Sequence, residues 1–263
     1  MLDKIEDMTD PTPSPDPITA ALLVIGEEIL SGRTRDENIS YVAGRLTRVG
    51  ISLREVRVVA DHEVEIVAAV NELRRRFAYV FTTGGIGPTH DDVTTDAIAK
   101  AFEVEVAVHE EAVAAMRQHY RDNVLTPARL RMARVPDGAE LIHNAVSRAP
   151  GYMLENVIVM AGVPRIMQVM LDEVIPRLAK GRPLQARSVR VDVAEGDVAG
   201  PLAALQAAHP EVQMGSYPFF EQDRFGTYVV LRGADQASLA SALAALWDLI
   251  GQEGFSASAA DDE

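Results

Sequence analysis

Short apolar runs alternate with longer stretches of helical period along most of the chain. Ala20 to Ile25 is a continuous apolar run, and beyond a loop Ile39, Val42, Ala43, Leu46 and Val49 recur at helical spacing until Gly50 stops them. That order predicts a strand and then a helix. Ile51 to Val59 predicts a second strand, Asp61 opens a helix with Val64, Val67, Val70 and Leu73 on its apolar face, and Tyr79 to Thr83 predicts a third strand. A glycine-rich loop follows, then helices from Thr94 to Phe102 and from Glu110 to Tyr120, strands near Leu141 and over Val157 to Met160, and a helix from Arg165 to Leu178. Repeated strand and helix units imply a parallel sheet. Residues 18–180 therefore read as one doubly wound α/β domain.

The pattern changes at Ala179 to Pro183, where AKGRP makes a hinge. Beyond it, Ser188 to Val193 alternates like a strand, and Pro201 to Ala208 is helical with the proline at an allowed first-turn position. Val212 to Tyr217 and Thr227 to Arg232 read as strands and Ser238 to Ile250 as a helix, giving a small βαββα domain over residues 184–250. Both ends are different. Residues 1–17 place acids where a signal peptide needs a basic start and prolines where it needs an apolar stretch, so they read as a disordered leader. The end, GQEGFSASAADDE over 251–263, is small, polar and acidic and reads as a disordered tail. No apolar run approaches the roughly 18 residues needed to cross a bilayer. The expectation is a cytoplasmic protein with no membrane partner.

Composition narrows the choice of partners. Of 263 residues, 25 are Lys or Arg and 39 are Asp or Glu, a formal charge of −14, and so acidic a surface repels a nucleic-acid backbone. The absence of cysteine excludes disulfides, thiolate metal sites, iron–sulfur ligation and cysteine nucleophiles.

The strongest chemical signal is Thr82-Thr83-Gly84-Gly85-Ile86-Gly87-Pro88-Thr89-His90-Asp91-Asp92, between a buried strand and a helix opened by Thr94, Thr95 and Asp96. At the carboxyl end of a parallel strand, glycines let backbone N–H groups approach an anion near a helix N-terminus. This suggests a phosphate cradle, with a turn needed only for tight geometry as the alternative. Spacing and the missing lysine separate it from the Walker A and GxGxxG patterns. Asp91 and Asp92 are candidate ligands for Mg²⁺ bridging to phosphate oxygens, or else helix-capping acids. Asp61, after the second strand, belongs on the same rim as a catalytic acid or as the cap of its helix. The loop from Gly26 through Asn38 faces the same crevice by topology. In it Glu27 or Glu28 is a second metal or base site, Ser31 and Gly32 are phosphate donors, and Asp36 or Asn38 binds ligand or caps. His90 is a candidate for polarising a leaving group, and Arg129, Arg131 and Arg134 either reach an anion or form a solvated basic face. Phe219 and Phe220 either stack on an adenine or flavin ring or cover their own core.

The run from Gly26 to Asn38, the TTGGIGPTHDDVTTDAIA segment from Thr82, Ala149-Pro150-Gly151 and Gly162-Val163-Pro164 together resemble the MoaB/Mog molybdopterin-binding fold in its CinA N-terminal form, over most of residues 20–178. The βαββα unit, with Gly215-Ser216-Tyr217-Pro218-Phe219-Phe220, resembles the small domain that follows in CinA-type proteins and in the hydrolase-like part of eukaryotic FAD synthase. The resemblance implies essential roles for Asp61 and Asp92. It also implies a pterin- or nucleotide-phosphate cradle at Thr82, Thr83, Gly84, Gly85 and Gly87, with Gly26, Ser31, Gly32, Gly162 and Pro164 as further ligand contacts. Asp91, Asp92 and Glu27 are the metal candidates. The implied activity is metal-dependent cleavage of an ADP-ribose- or FAD-like diphosphate by a homo-oligomer. The alternatives are molybdopterin binding or adenylyl transfer in molybdenum cofactor biosynthesis, and ligand binding without turnover. Three departures stand out: Met160-Ala161 before the glycine where Leu-Pro is more usual, Ser147-Arg148 where Gly-Thr is more usual, and no deamidase domain.

Overall fold

The computed structural model describes residues 18–119, 124–221 and 224–260; the expected leader, residues 1–17, and Tyr120 lie outside them. The chain divides after Gly181 into two compact units.

The first unit runs, in chain order, through β1 (Ile18–Ile25), α1 (Glu27–Leu30), α2 (Asn38–Arg48), β2 (Ile51–Val59), α3 (Glu63–Arg76), β3 (Tyr79–Thr83) and α4 (Thr94–Phe102). It continues with β4 (Val106–Val108), α5 (Glu110–His119), α6 (Pro127–Arg131), β5 (Arg134–Pro136), β6 (Glu140–Ile142), β7 (Gly151–Leu154), β8 (Val157–Met160) and α7 (Pro164–Val174). Six strands form one sheet in the order β2-β1-β3-β8-β7-β6. β2, β1, β3 and β8 are parallel, while β7 and β6 turn back antiparallel. The doubly wound, mostly parallel α/β class expected from the sequence is what the strands form.

The apolar run of β1 follows from its position, because a parallel strand with helices on both faces has no solvated side. Ala21, Leu23 and Ile25 pack into one layer with Ile66, Val70 and Leu73 of α3 and Ile98 of α4. Ala20, Leu22 and Val24 pack into the other with Val42 and Leu46 of α2 and Met167 and Leu171 of α7. Each fully buried leucine contributes about 1.5–3 kcal/mol relative to exposure. These two layers fix the heights of the strand ends, and so the rim on which the loops sit.

The second unit contains β9 (Gln185–Val191), α8 (Glu195–Ala208), β10 (Gln213–Glu221), β11 (Arg224–Gly233), α9 (Gln236–Glu253) and β12 (Ala257–Ala260). Its antiparallel sheet has the order β10-β11-β9-β12, so the unit is βαββαβ, a split-βαβ arrangement, rather than the expected βαββα. Two expectations are corrected here. Residues 251–263 were expected to be a disordered tail, yet α9 continues to Glu253, Gly254 closes it at φ +70, and β12 pairs with β9 from Ala257 to Ala260. Backbone pairing to an open sheet edge orders a segment whose small polar side chains gave no strand signal. Pro201, expected in a first turn, lies inside α8, which starts at Glu195. Gly200 just before it has no Cβ to clash with the ring.

Removing residues 255–263 should therefore destabilise the second unit by on the order of 2 kcal/mol, through lost ladder hydrogen bonds and the exposed β9 edge. Thermal melting and limited proteolysis check this, and an unchanged melt would contradict it.

Candidate functional site

β1, β2, β3 and β8 all end on one edge of the sheet, and the segment entering β7 reaches the same edge. Their loops enclose a cleft of about 570 Å³. At its base β1 and β3 lie side by side although β2 is their neighbour in sequence, the strand-order reversal at which open α/β sheets form ligand crevices. Gly84 makes this junction possible: its φ is +103°, and a Cβ there would lie 2.1 Å from the Ile25 carbonyl oxygen. Gly85, at φ +66°, sits against the Thr94 hydroxyl, which donates to the Gly84 carbonyl at 3.0 Å. The Thr94 N–H donates to the Gly85 carbonyl at 3.0 Å. The glycine loop is thus folded onto the first turn of α4.

That folding consumes some of the expected anion donors. The Gly84 N–H donates to the Met160 carbonyl, and the Gly87 N–H donates to Asp92. Among the described residues, the N–H groups of Gly85, Ile86, Gly162 and Val163 make no hydrogen bond, and all four residues line the cleft. The two loops touch, since a Cβ on Gly162 would come 3.3 Å from the Gly84 Cα. The second loop runs into the N-terminus of α7, where the helix dipole favours an anion. Pro164, the first residue of that helix, lines the cleft but has no N–H to offer.

Among the described residues, four carboxylates, from Glu28, Asp61, Asp91 and Asp92, line the cleft, and no Lys, Arg or His does. They are not equivalent. One Asp92 oxygen accepts from the Gly87 N–H at 2.6 Å, and the other accepts from the Thr89 N–H at 2.7 Å and the Thr89 hydroxyl at 2.5 Å. Asp92 is therefore the clasp of the glycine loop. The Thr89 hydroxyl, between the two aspartates, and Asp91's own backbone N–H hold the exposed Asp91 carboxyl below its ordinary range. Asp61 does not cap α3, whose cap position is His62; its Oδ2 accepts from the Glu27 N–H at 2.8 Å, tying the loop after β2 to α1. Among the described residues the other Asp61 oxygen has no donor.

Several expected ligand contacts lie elsewhere. Glu27 does not line the cleft, whereas Glu28 does, because one helical step turns the second acid inward. The N–H groups of Ser31 and Gly32 close the end of α1 on the Glu27 and Ile29 carbonyls, so they are not phosphate donors. Gly26 donates to the Val59 carbonyl at the end of the β1–β2 pair and is not among the lining residues. Thr82 and Thr83 are buried in the sheet at 0% and 1% exposure, outside the cleft lining. Asp36, one residue before the cap position Glu37, accepts from the Ile39 N–H in the first turn of α2, and Asn38 holds the β8 loop through the Gly162 carbonyl at 2.8 Å. Arg134 pairs with Asp96, Arg131 donates to the Asp92 carbonyl and Arg129 to the Val124 carbonyl, so these three brace the structure. His90 is 99% exposed. Phe219 lies beneath the Arg190 guanidinium at 4.2 Å and against Tyr228, whereas Phe220 points to the opposite face, so the two do not form one stacking surface.

The apolar wall, with Ile25, Ile86, Met132, Ile166 and Met170, went unrecognised in the sequence. Met132 follows α6, about forty residues from the glycine loop, and carries no local signal. No group of three or more His, Asp or Glu side chains suited to a metal occurs among the described residues. Asp92, with both oxygens engaged, does not fit as a ligand; Asp61, Asp91 and Glu28 each keep an oxygen for one. These residues fit a cation shared with a phosphate-bearing ligand, since Mg²⁺ is commonly held by one or two carboxylates together with substrate phosphates. No helix among the described residues is long and apolar enough to cross a membrane.

Comparison with known proteins agrees with this architecture. A protein of Pyrobaculum calidifontis is 37% identical over 211 residues, covering 76% of this chain and 80% of that protein. One from Metallosphaera sedula is 39% identical over 172 residues, covering 63% of this chain and a little under two thirds, 65%, of its own length. Among solved structures, the protein CinA of Thermoplasma acidophilum is 34% identical with a TM-score of 0.57, covering 60% of this chain and 98% of that one. Residues 183–258 match the family described as FAD synthase, middle domain. Residues 21–180, the unit that carries the cleft, match the family described as probable molybdopterin binding domain, and to that family the chain belongs.

Proposed function

We propose that the cleft takes a phosphate-bearing small molecule, a nucleotide diphosphate of the ADP-ribose or FAD type, and hydrolyses its diphosphate with a divalent metal. The observation that carries this reading is the pairing of unengaged backbone donors at Gly85, Ile86, Gly162 and Val163 with carboxylates at Asp61, Asp91 and Glu28 around one volume. The N–H groups orient phosphate oxygens, and the apolar wall accommodates the planar ring and excludes water from it. Asp61, with one oxygen fixed by Glu27 and the other open, is placed to accept a proton from an attacking water. A divalent cation, when bound, would neutralise the diphosphate and lower the pKa of a bound water.

One observation favours a second reading, in which a pterin or nucleotide is bound without turnover: the Asp92 carboxylate holds the loop and no three-acid cluster is present among the described residues. Incubating the protein with ADP-ribose, FAD and ATP, with and without Mg²⁺, Mn²⁺ or Co²⁺, separates the two. Metal-dependent release of nucleoside monophosphate is the expected result, and ligand binding with no product under any metal would replace hydrolysis by the second reading.

A further inference from the structure

We infer that Arg148 is a specificity-determining residue of this cleft, selecting ligands with a second phosphate over monophosphates. This rests on the reading of the cleft as a phosphate-binding site. Among the described residues its lining includes four carboxylates and no cation, so a polyanion entering it meets repulsion that backbone N–H groups only partly offset. Arg148 lies between Ser147 and Ala149, both of which line the cleft, and its own side chain is exposed. Its guanidinium makes no hydrogen bond or ion pair with any described residue.

The backbone supplies an independent reason. Arg148 has φ +62°, the left-handed region that glycine or asparagine would occupy with less strain. Among the described residues two other non-glycine residues share this feature, but Glu103 closes α4 and Glu155 turns the β7–β8 hairpin, both ordinary places for it. The turn at 144–149 is densely hydrogen-bonded. The buried Asn144 accepts from the Val146 and Ser147 N–H groups, donates to the Ser147 hydroxyl and the Ala149 carbonyl, and receives the Arg148 N–H on its own carbonyl. The turn thus holds an unpartnered guanidinium in a strained conformation beside an acidic cleft, where a planar, always charged donor suits a distal phosphate.

Arg148→Gly, Arg148→Asn and Arg148→Lys, titrated calorimetrically with ADP-ribose as its non-hydrolysable methylene-bridged analogue and with AMP, both in the presence of Mg²⁺, test this. Arg148→Gly and Arg148→Asn should melt about 2–4 °C higher than the wild type as strain is relieved. They should lose roughly 10- to 100-fold in affinity for ADP-ribose and less than about threefold for AMP. Arg148→Lys should recover part of the loss without the gain in melting temperature. Equal ADP-ribose affinity in the wild type and Arg148→Gly would overturn the role of Arg148 while leaving the cleft reading intact. A wild type that binds neither ADP-ribose nor AMP would overturn the cleft reading and this inference with it.

Discussion

Gly84→Ala is expected to lower stability by about 4 kcal/mol or more, placing it among the exceptional single substitutions. Two effects add. An alanine at φ +103° is strained before any contact is considered, and its Cβ would lie 2.1 Å from the Ile25 carbonyl oxygen, a backbone atom at the end of the β1–β2 ladder. Relief would require β1 and β3 to part at the strand-order reversal, where Ile25 and Phe81 anchor opposite layers of the core. Gly85→Ala should be nearly as damaging, because its Cβ would meet the Thr94 hydroxyl at 2.0 Å, and that hydroxyl is buried and already holds the Gly84 carbonyl. Gly44→Ala is the internal contrast: beyond its own helix turn no atom of the described residues stands within 4 Å of the added carbon in the middle of α2, and a stabilisation of roughly 0.5–1 kcal/mol is expected from helix propensity. Denaturant melts of the three variants decide the matter. Gly84→Ala within 1 kcal/mol of the wild type would show that the loop is not the tight junction described above.

The doubly wound unit was legible because its signals are local and redundant. The uninterrupted apolar runs of β1 and β8 can only be strands covered on both faces, and the Gly84–Gly87 segment follows the third strand in a position that a parallel sheet reserves for ligands. β12 was not legible, because Ala-Ser-Ala-Ala is ordered by an edge that another part of the chain supplies. The site was legible as a place and not as a set of roles. Sequence put acids on the rim, but which of Glu27 and Glu28 turns inward depends on the phase of a four-residue helix. Asp61 looked like a cap because an acid before a helix usually is one, and only the folded loops show the Glu27 N–H nearer than the N–H groups of its own helix.

Asp92 and Asp61, both catalytic candidates in the sequence, should therefore respond differently to neutralisation. The resemblance implies an essential role for both. In the structure both Asp92 oxygens accept hydrogen bonds, at 2.6 Å from the Gly87 N–H and at 2.7 Å from the Thr89 N–H. An asparagine can satisfy one of these donors, and its NH₂ must then face the other at a distance that only an acceptor tolerates. Losing charge-assisted bonds and opposing two donors should cost about 2–4 kcal/mol, and the loop that presents Gly85 and Ile86 would open. Affinity for ADP-ribose should fall together with the melting temperature. Asp61→Asn presents the opposite case. Its carbonyl oxygen can keep the Glu27 N–H, and its NH₂ replaces an oxygen with no donor among the described residues, so stability should change by less than about 1 kcal/mol. Turnover should fall roughly 10²- to 10⁴-fold with affinity preserved, the loss expected when a proton acceptor is neutralised. Calorimetric affinity, steady-state hydrolysis and thermal melts on the two variants give the comparison. If Asp92→Asn melts and binds as the wild type while losing hydrolysis, its carboxylate acts on the substrate rather than on the loop, and the assignment of the open oxygen of Asp61 as the proton acceptor must be withdrawn.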